Sequence, residues 1–248
     1  IASLNAFCSD RSKAPIIWRR YAYERAAGGA RSDMSKSQPE LIDGVRHIIG
    51  ALDRSEQKAL SDAIADVVAA APYYVPTMPN SGKPLSVQMT NCGSLGWLTD
   101  KAGGYRYEPT HPETGDPWPP MPNRLLKLWD TYLPGAPPPE ACLINWYKPD
   151  AKLGMHCDAD EVDQVTPVLS ISLGDDAWFR VGGLKRRDPS RRIRLSSGDV
   201  IILGGEARRA YHGVDRIIAD TSDLLAAPGR INLTLRRVTI AADDQPKT

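Results

Sequence analysis

The 248-residue chain holds only four cysteines, Cys8, Cys92, Cys142 and Cys157, and no two of them form a CxxC pair. That scatter disfavours both a disulfide framework and a structural zinc site and fits a reducing cytoplasm. No apolar run approaches the ~18 residues of a membrane helix. The beginning also lacks the charged segment, apolar stretch and small-residue site of an export signal, so neither a membrane partner nor export is expected. Net charge is nearly absent as well. Lys and Arg number 31 against 30 Asp and Glu, so any nucleic-acid surface has to come from local clustering. There is no internal repeat and, outside one proline-rich stretch, no low-complexity tract. The remaining composition, 42% hydrophobic and 25% charged, is that of a folded chain long enough for a sizeable core. One domain with additions is the expectation.

Residues 1–40 mix WRRYAYER with AAGGARSD without a sustained period and read as an irregular extension. Met34 precedes SKSQPELIDGV, so a natural start at Met34 and a longer native chain both stay open. Asp53 and Glu56 have capping-box spacing, and Leu60, Ala63, Ile64, Val67, Val68 and Ala71 recur along one helix face before Pro72, which predicts a helix lying on a sheet. Residues 109–139 carry ten of the 21 prolines around a short helix predicted at Asn123–Tyr132, either as a linker or as a rigid wrap. Beyond Glu140 come short strands, ACLINWY, TPVLSISL, AWFRV, DVIILG and RINLTLRRV, separated by turn-rich pieces. Such spacing predicts an antiparallel sandwich or barrel.

Histidine is scarce enough to weigh each one: His47, His111, His156 and His212. In GMHCDADE, an extended backbone would project His156 and Asp158 to one side and Cys157 to the other. His212 in AYHGV, near a strand end, would supply a third ligand. Two imidazoles and a carboxylate leave one face of a metal open, as in non-haem Fe(II) oxygenases. An HxD pair is equally a surface hydrogen bond and a lone later histidine is commonly partly buried, so spacing alone leaves both readings open. In RINLTLRR, Arg230, Asn232, Thr234 and Arg236 share one face. If that face is inward, its arginines need a buried anion, which a dicarboxylate would supply through guanidinium forks; if outward, they are ordinary surface residues. Asn145 and Tyr147, also two apart, add an amide and a phenol.

Together the segments MTNCGSLGW (89–97), ACLINWYKPDAKLGMHCDADE (141–161), SISLGDDAWFRVGGLKRRDP (170–189), SGDVIILGGEARRAYHG (197–213) and RINLTLR (230–236) resemble the bacterial AlkB family of Fe(II)- and 2-oxoglutarate-dependent oxidative demethylases that repair alkylated DNA. The likeness runs in order from about Val45 to Val238. It implies a mainly β, α+β fold with flanking helices around a double-stranded β-helix, or jelly roll. His156, Asp158 and His212 would be the iron ligands. Arg230 and Arg236 would hold 2-oxoglutarate, with Arg230 on the distal carboxylate and Asn145, Tyr147 and Asn232 adding hydrogen bonds. In such chemistry O2 and 2-oxoglutarate are consumed to succinate and CO2 while an N-alkyl carbon is hydroxylated and leaves as formaldehyde.

The same resemblance implies a nucleotide-recognition lid at about 73–108 within a single domain spanning 41–240, leaving 241–248 as a flexible tail. Met89, Trp97 and Tyr105 lie in the lid, with Trp97 in the base-stacking role. Asp160 would face the flipped base, suiting cationic 1-methyladenine and 3-methylcytosine. A solvated acidic turn at Asp160 and Glu161 is the plainer alternative. The densest basic run, KRRDPSRRIR, would track phosphates, with Arg186 on the substrate strand. The sequence departs from enterobacterial AlkB at Trp146 (an arginine there), Cys157 (a glutamine there) and an added residue at Gly103-Gly104. The reading is therefore a cytoplasmic, monomeric dioxygenase acting on alkylated single-stranded DNA, with RNA left open. A hydroxylase or demethylase of a small molecule or protein and a silent jelly-roll binding module are the alternatives.

Overall fold

The computed structural model describes residues 41–240. The extension at 1–40, the start at Met34 and the tail at 241–248 lie outside the described residues. Among the described residues twelve strands and two α-helices follow in order: β1 (Val45–Ile48), α1 (Arg54–Ala70), β2 (Gln88–Gly93), β3 (Gly96–Asp100), β4 (Gly104–Glu108), α2 (Asn123–Tyr132), β5 (Ala141–Tyr147), β6 (Leu153–His156), β7 (Val168–Gly174), β8 (Asp176–Val181), β9 (Arg191–Leu195), β10 (Val200–Leu203), β11 (His212–Ile218) and β12 (Arg230–Arg236). A 3-10 turn, Gly205–Arg209, leads into β11.

All pairings are antiparallel. Six strands form one sheet in the order β1-β10-β7-β12-β5-β2, four form another in the order β6-β11-β8-β9, and β3 and β4 make a separate two-stranded ribbon. Two facing sheets with crossovers are the jelly roll the sequence predicts. Strand alternation divides the six-stranded sheet into two chemically different faces. Ile231, Leu233 and Leu235 of β12 join Cys142, Ile144, Leu169 and Ile171 beneath Leu60, Ile64 and Val67 of α1 and Leu125 and Trp129 of α2. The opposite face of β12, Arg230, Asn232, Thr234 and Arg236, points between the sheets.

Local signals explain the helices. Asp53 Oδ1 accepts the Glu56 N–H at 2.8 Å and Glu56 Oε2 accepts the Asp53 N–H at 2.8 Å, completing the capping box. Leu125 and Trp129, one turn apart and both fully buried, fix α2 on the sheet. The proline-rich stretch is a wrap. Trp129 Nε1 donates to the Pro137 carbonyl at 3.1 Å, Trp118 Nε1 donates to the Glu108 carbonyl at 2.9 Å, and the Gly93 N–H reaches the Pro119 carbonyl at 2.9 Å. The segment expected to form a lid divides: β2 is an edge strand of the large sheet, and only the β3–β4 ribbon stands apart. Among the described residues no helix is long and apolar enough to cross a membrane.

Candidate active site

The register of β6 and β11 sets His156 directly opposite His212, at the ends of the two strands. Asp158 follows just past β6. It lies 3.8 Å from His156 Nε2 through one carboxylate oxygen and 3.8 Å from His212 Nε2 through the other. The three candidate ligand atoms all fall within 4.8 Å of one another. Each histidine places Nδ1 2.9 Å from a carbonyl two residues earlier, Gly154 for His156 and Ala210 for His212. A carbonyl only accepts, so Nδ1 carries the proton and Nε2 keeps its lone pair toward Asp158. Burial, followed by the neighbouring His156, pushes the His212 pKa down from 6.5 to about 4, against the pull of Asp158. Burial raises the Asp158 pKa, but Arg236, His212, His156 and Arg208 outweigh it and hold the carboxyl well below its usual range. A neutral His212 imidazole beside an ionised Asp158 carboxylate is the pairing of protonation states a divalent cation needs.

Across the cavity, Arg230 is 1% exposed. Its Nη2 donates to Ser172 Oγ at 2.9 Å and its guanidinium lies 5.5 Å from the centre of the Tyr147 ring. Nε and Nη1 of Arg230 and Oδ1 of Asn145 are buried without a hydrogen-bond partner. Burial lowers the Arg230 pKa, a sign that the charge is poorly compensated within the protein. An unpaired buried cation costs several kcal/mol unless an anion meets it, so these donors fit a carboxylate. Arg236 is bonded differently. Its Nη2 and Nε reach Asp158 Oδ2 at 2.9 and 3.3 Å, and its Nε is also 3.3 Å from Glu161. Asn232 is held by Ser170 at 2.7 Å and accepts from Thr234 at 3.0 Å.

Several supports gave no sequence signal as separate residues. Arg208, 2% exposed, donates to the Asp158 carbonyl at 3.0 Å, the Thr166 carbonyl at 2.9 Å and Glu161 Oε2 at 3.1 Å, tying the ligand loop to the turn before His212. Glu161, read as half of a solvated acidic turn, is buried at 5% exposure, where it also accepts the Tyr107 hydroxyl at 2.5 Å. Asp175 accepts backbone N–H groups from Thr221, Ser222 and Gly229, setting the chain that delivers Arg230. Gly229 has φ of 146°, and a Cβ there would sit 2.6 Å from the Tyr147 carbonyl oxygen, which reserves the position for glycine. The partners of these residues depend on the tertiary fold, which spacing in the sequence does not reveal.

The expected substrate residues divide. Trp97 and Tyr105 stack at 5.7 Å with rings 23° from parallel, and Trp97 Nε1 donates to Asp160 Oδ2 at 2.8 Å. Asp160 itself is exposed and outside the cavity wall. Met89, at 2% exposure, is packed in the inter-sheet core. Arg186, on the β8–β9 loop, donates to the Met155 carbonyl at 2.7 Å, beside His156. Cys157 turns away from the ligands to the Arg209 carbonyl at 3.1 Å. Trp146 lies on the helix side of the sheet, and Gly103-Gly104 lies at the tip of the β3–β4 ribbon. The other two histidines serve structure: His47 bonds Asp199 at 2.9 Å and His111 the Pro72 carbonyl at 2.8 Å.

Comparison with known proteins places this geometry. Residues 44–236 match the 2OG-Fe(II) oxygenase superfamily. The chain is 53% identical over 221 residues to an alpha-ketoglutarate-dependent dioxygenase AlkB homolog of Caulobacter vibrioides, covering 89% of this chain and 100% of that protein. It is 44% identical over 178 residues to alpha-ketoglutarate-dependent dioxygenase AlkB of Escherichia coli, covering 70% of this chain and 81% of that one. The solved structure of OsALKBH1 superposes with a TM-score of 0.67 at 29% identity, covering 80% of this chain and all of that one. The chain therefore belongs to the 2OG-Fe(II) oxygenase superfamily, as an AlkB-type dioxygenase that depends on Fe(II), 2-oxoglutarate and O2.

Proposed function

We propose that the chain oxidatively removes N-alkyl groups such as those of 1-methyladenine and 3-methylcytosine from single-stranded DNA, acting as a cytoplasmic monomer. The observation that carries the oxidative half is the His156, Asp158 and His212 cluster facing the unpaired buried N–H donors of Arg230. His156, Asp158 and His212 would hold the iron, whose chemistry is oxidation of a C–H bond with 2-oxoglutarate as co-reductant. Arg230 takes the distal carboxylate of 2-oxoglutarate, helped by Asn145 and Tyr147. Burial, against the pull of Arg230, pushes the Tyr147 phenol up to about 12, so it remains a hydrogen-bond donor at neutral pH. Arg236 fixes the Asp158 carboxylate and adds positive charge at the metal end, while Asn232 completes the wall.

The nucleic-acid half is supported by the aromatic and charged groups at the rim. A base taken out of its stack needs flat partners, which Trp97 and Tyr105 supply on the ribbon at 96–108. Asp160, bonded to the indole, favours a ring made cationic by methylation. Arg186 would meet a flanking phosphate, while Met89, buried in the core, would act on the substrate only through packing. The test is anaerobic reconstitution with Fe(II), followed by mass spectrometry on methylated DNA and RNA strands with and without 2-oxoglutarate. Loss of methyl mass from the strand only when 2-oxoglutarate and O2 are both present is expected. Turnover of 2-oxoglutarate with no change in either polymer would overturn the nucleic-acid reading.

A further inference from the structure

The solvent side of the four-stranded sheet carries a composition that the active site does not use. Ala177, Phe179 and Val181 of β8 are buried toward the core, so Asp176, Trp178 and Arg180 share the opposite face. Their cross-strand neighbours are basic. Arg194 of β9 and Arg216 of β11 flank Trp178, and Arg192 lies beside Arg180. On this face Arg194 pairs with Asp176 at 2.6 Å, and Arg180 and Arg192 share Asp215 at 3.5 and 2.9 Å. Arg216 is exposed, and among the described residues no ion pair engages it. An outer sheet face needs neither a partly exposed tryptophan nor a surplus of positive charge for its own stability; an aromatic ring set among guanidinium groups is the pattern that holds single-stranded nucleic acid.

We propose that this face, centred on Trp178 with Arg180, Arg194 and Arg216, is a second binding surface for the unpaired strand that runs on from the active site. The idea rests on the nucleic-acid reading above. Continuity supports it: β8 and β9 are joined by the loop carrying Lys185, Arg186 and Arg187, and that loop is bonded to Met155 next to the ligand His156. A strand leaving the metal site over Arg186 reaches Arg180 and Arg192 first and Trp178 next. Trp178 stacks one base and the arginines meet phosphates, so sequence is not read, but affinity depends on strand length and salt.

The test compares the iron-loaded, anaerobic protein and its Trp178→Ala and Arg216→Glu variants on a methylated pentanucleotide and on methylated and unmethylated strands of about 20 nucleotides, by fluorescence anisotropy at several salt concentrations. The expected result is tighter binding of the long strands than of the pentanucleotide. Each variant should lose about tenfold on the long strands and reduce their salt dependence where a charge is changed, with pentanucleotide binding and, in a separate aerobic assay, 2-oxoglutarate turnover unaltered. Equal affinity for short and long strands, or variants that bind long strands as tightly as the parent, overturns the proposal. The unmethylated long strand reports on the face even if no lesion is turned over, so failure of the surface and failure of the demethylase reading are separate results.

Discussion

Arg230→Ala gives the sharpest test of the co-substrate pocket. The guanidinium is 1% exposed, has one hydrogen bond, to Ser172, and leaves Nε and Nη1 buried without partners. Water therefore competes little for these donors, and a carboxylate reaching them gains charge-assisted bonds in a low-dielectric setting. Removing one partner of such a buried pair costs about 3–5 kcal/mol. Asn145 and Tyr147 remain and the shortened side chain admits water, so the lower end applies, or roughly a 100-fold higher 2-oxoglutarate requirement at about 1.4 kcal/mol per tenfold. Binding of an alkylated oligonucleotide should be nearly intact. The ligand-free protein should respond in the opposite direction: Arg230→Met keeps the volume and removes an uncompensated buried charge, so its melting temperature should hold or rise. Thermal unfolding with added 2-oxoglutarate, using Mn(II) without oxygen, separates the two effects. The parent should be stabilised by the ligand and the variants should not. A 2-oxoglutarate titration unchanged in Arg230→Ala would refute the assignment.

Asp158→Ala should lower metal affinity strongly and stop coupled turnover, because it leaves two neutral imidazoles for a dication and frees Arg236 beside them; isothermal titration with Mn(II) reads the first effect. Asp160→Asn should reduce kcat/KM more on 1-methyladenine and 3-methylcytosine than on neutral 1-methylguanine, on top of a common loss from loosening Trp97; equal losses on all three bases would mean that the carboxylate acts only by holding the indole. Glu161→Gln should destabilise the fold by about 2–3 kcal/mol in urea, since it leaves the buried Arg208 and Arg236 undercompensated. His212 binds its proton less readily folded than unfolded, from 6.5 down to about 4, so the unfolded chain protonates first as pH falls. The chelated protein should lose stability across that window, by roughly 3 kcal/mol in all, and His212→Asn should flatten the loss.

The elements legible in the sequence are those with an internal rule. The capping pair at Asp53 and Glu56, the apolar stripe behind it and the two-residue alternation of RINLTLR each contain their own periodicity, and each appears where expected. The ligand set was readable because two of only four histidines and one aspartate resemble a family pattern at matching separations. The expected extended segment at His156 ends at that residue, and Asp158 reaches the histidines from a loop held by Arg208 and Arg236. Neither arginine's partner can be inferred from spacing, since their contacts cross 50 and 78 positions of chain. Glu161 shows the same limit from the other side. Next to an exposed aspartate it reads as surface, and only the convergence of Arg208, Arg236 and Tyr107 makes its burial tolerable.

The separateness of the β3–β4 ribbon has an evolutionary consequence. Its strand pairing is confined to itself, while the registers that aim His156, His212 and Arg230 belong to the other two sheets. Residues can therefore be added or exchanged near its tip without shifting any ligand. The tip at Gly103-Gly104, where an added residue is expected, is a tight turn, with Gly104 at φ of 67° and the Asp100 carboxylate accepting the Ala102 and Gly103 N–H groups. The ribbon meets the oxidative centre through three side-chain bonds, Trp97 to Asp160, Tyr107 to Glu161 and Arg236 to the Tyr107 hydroxyl. A lineage that keeps Trp97 and Tyr107 in those bonds is free to vary the rest, so the range of molecules admitted can drift while the chemistry stays fixed. The same boundary makes residues 96–108 a natural cassette for transplanting one relative's selectivity onto another's catalytic frame.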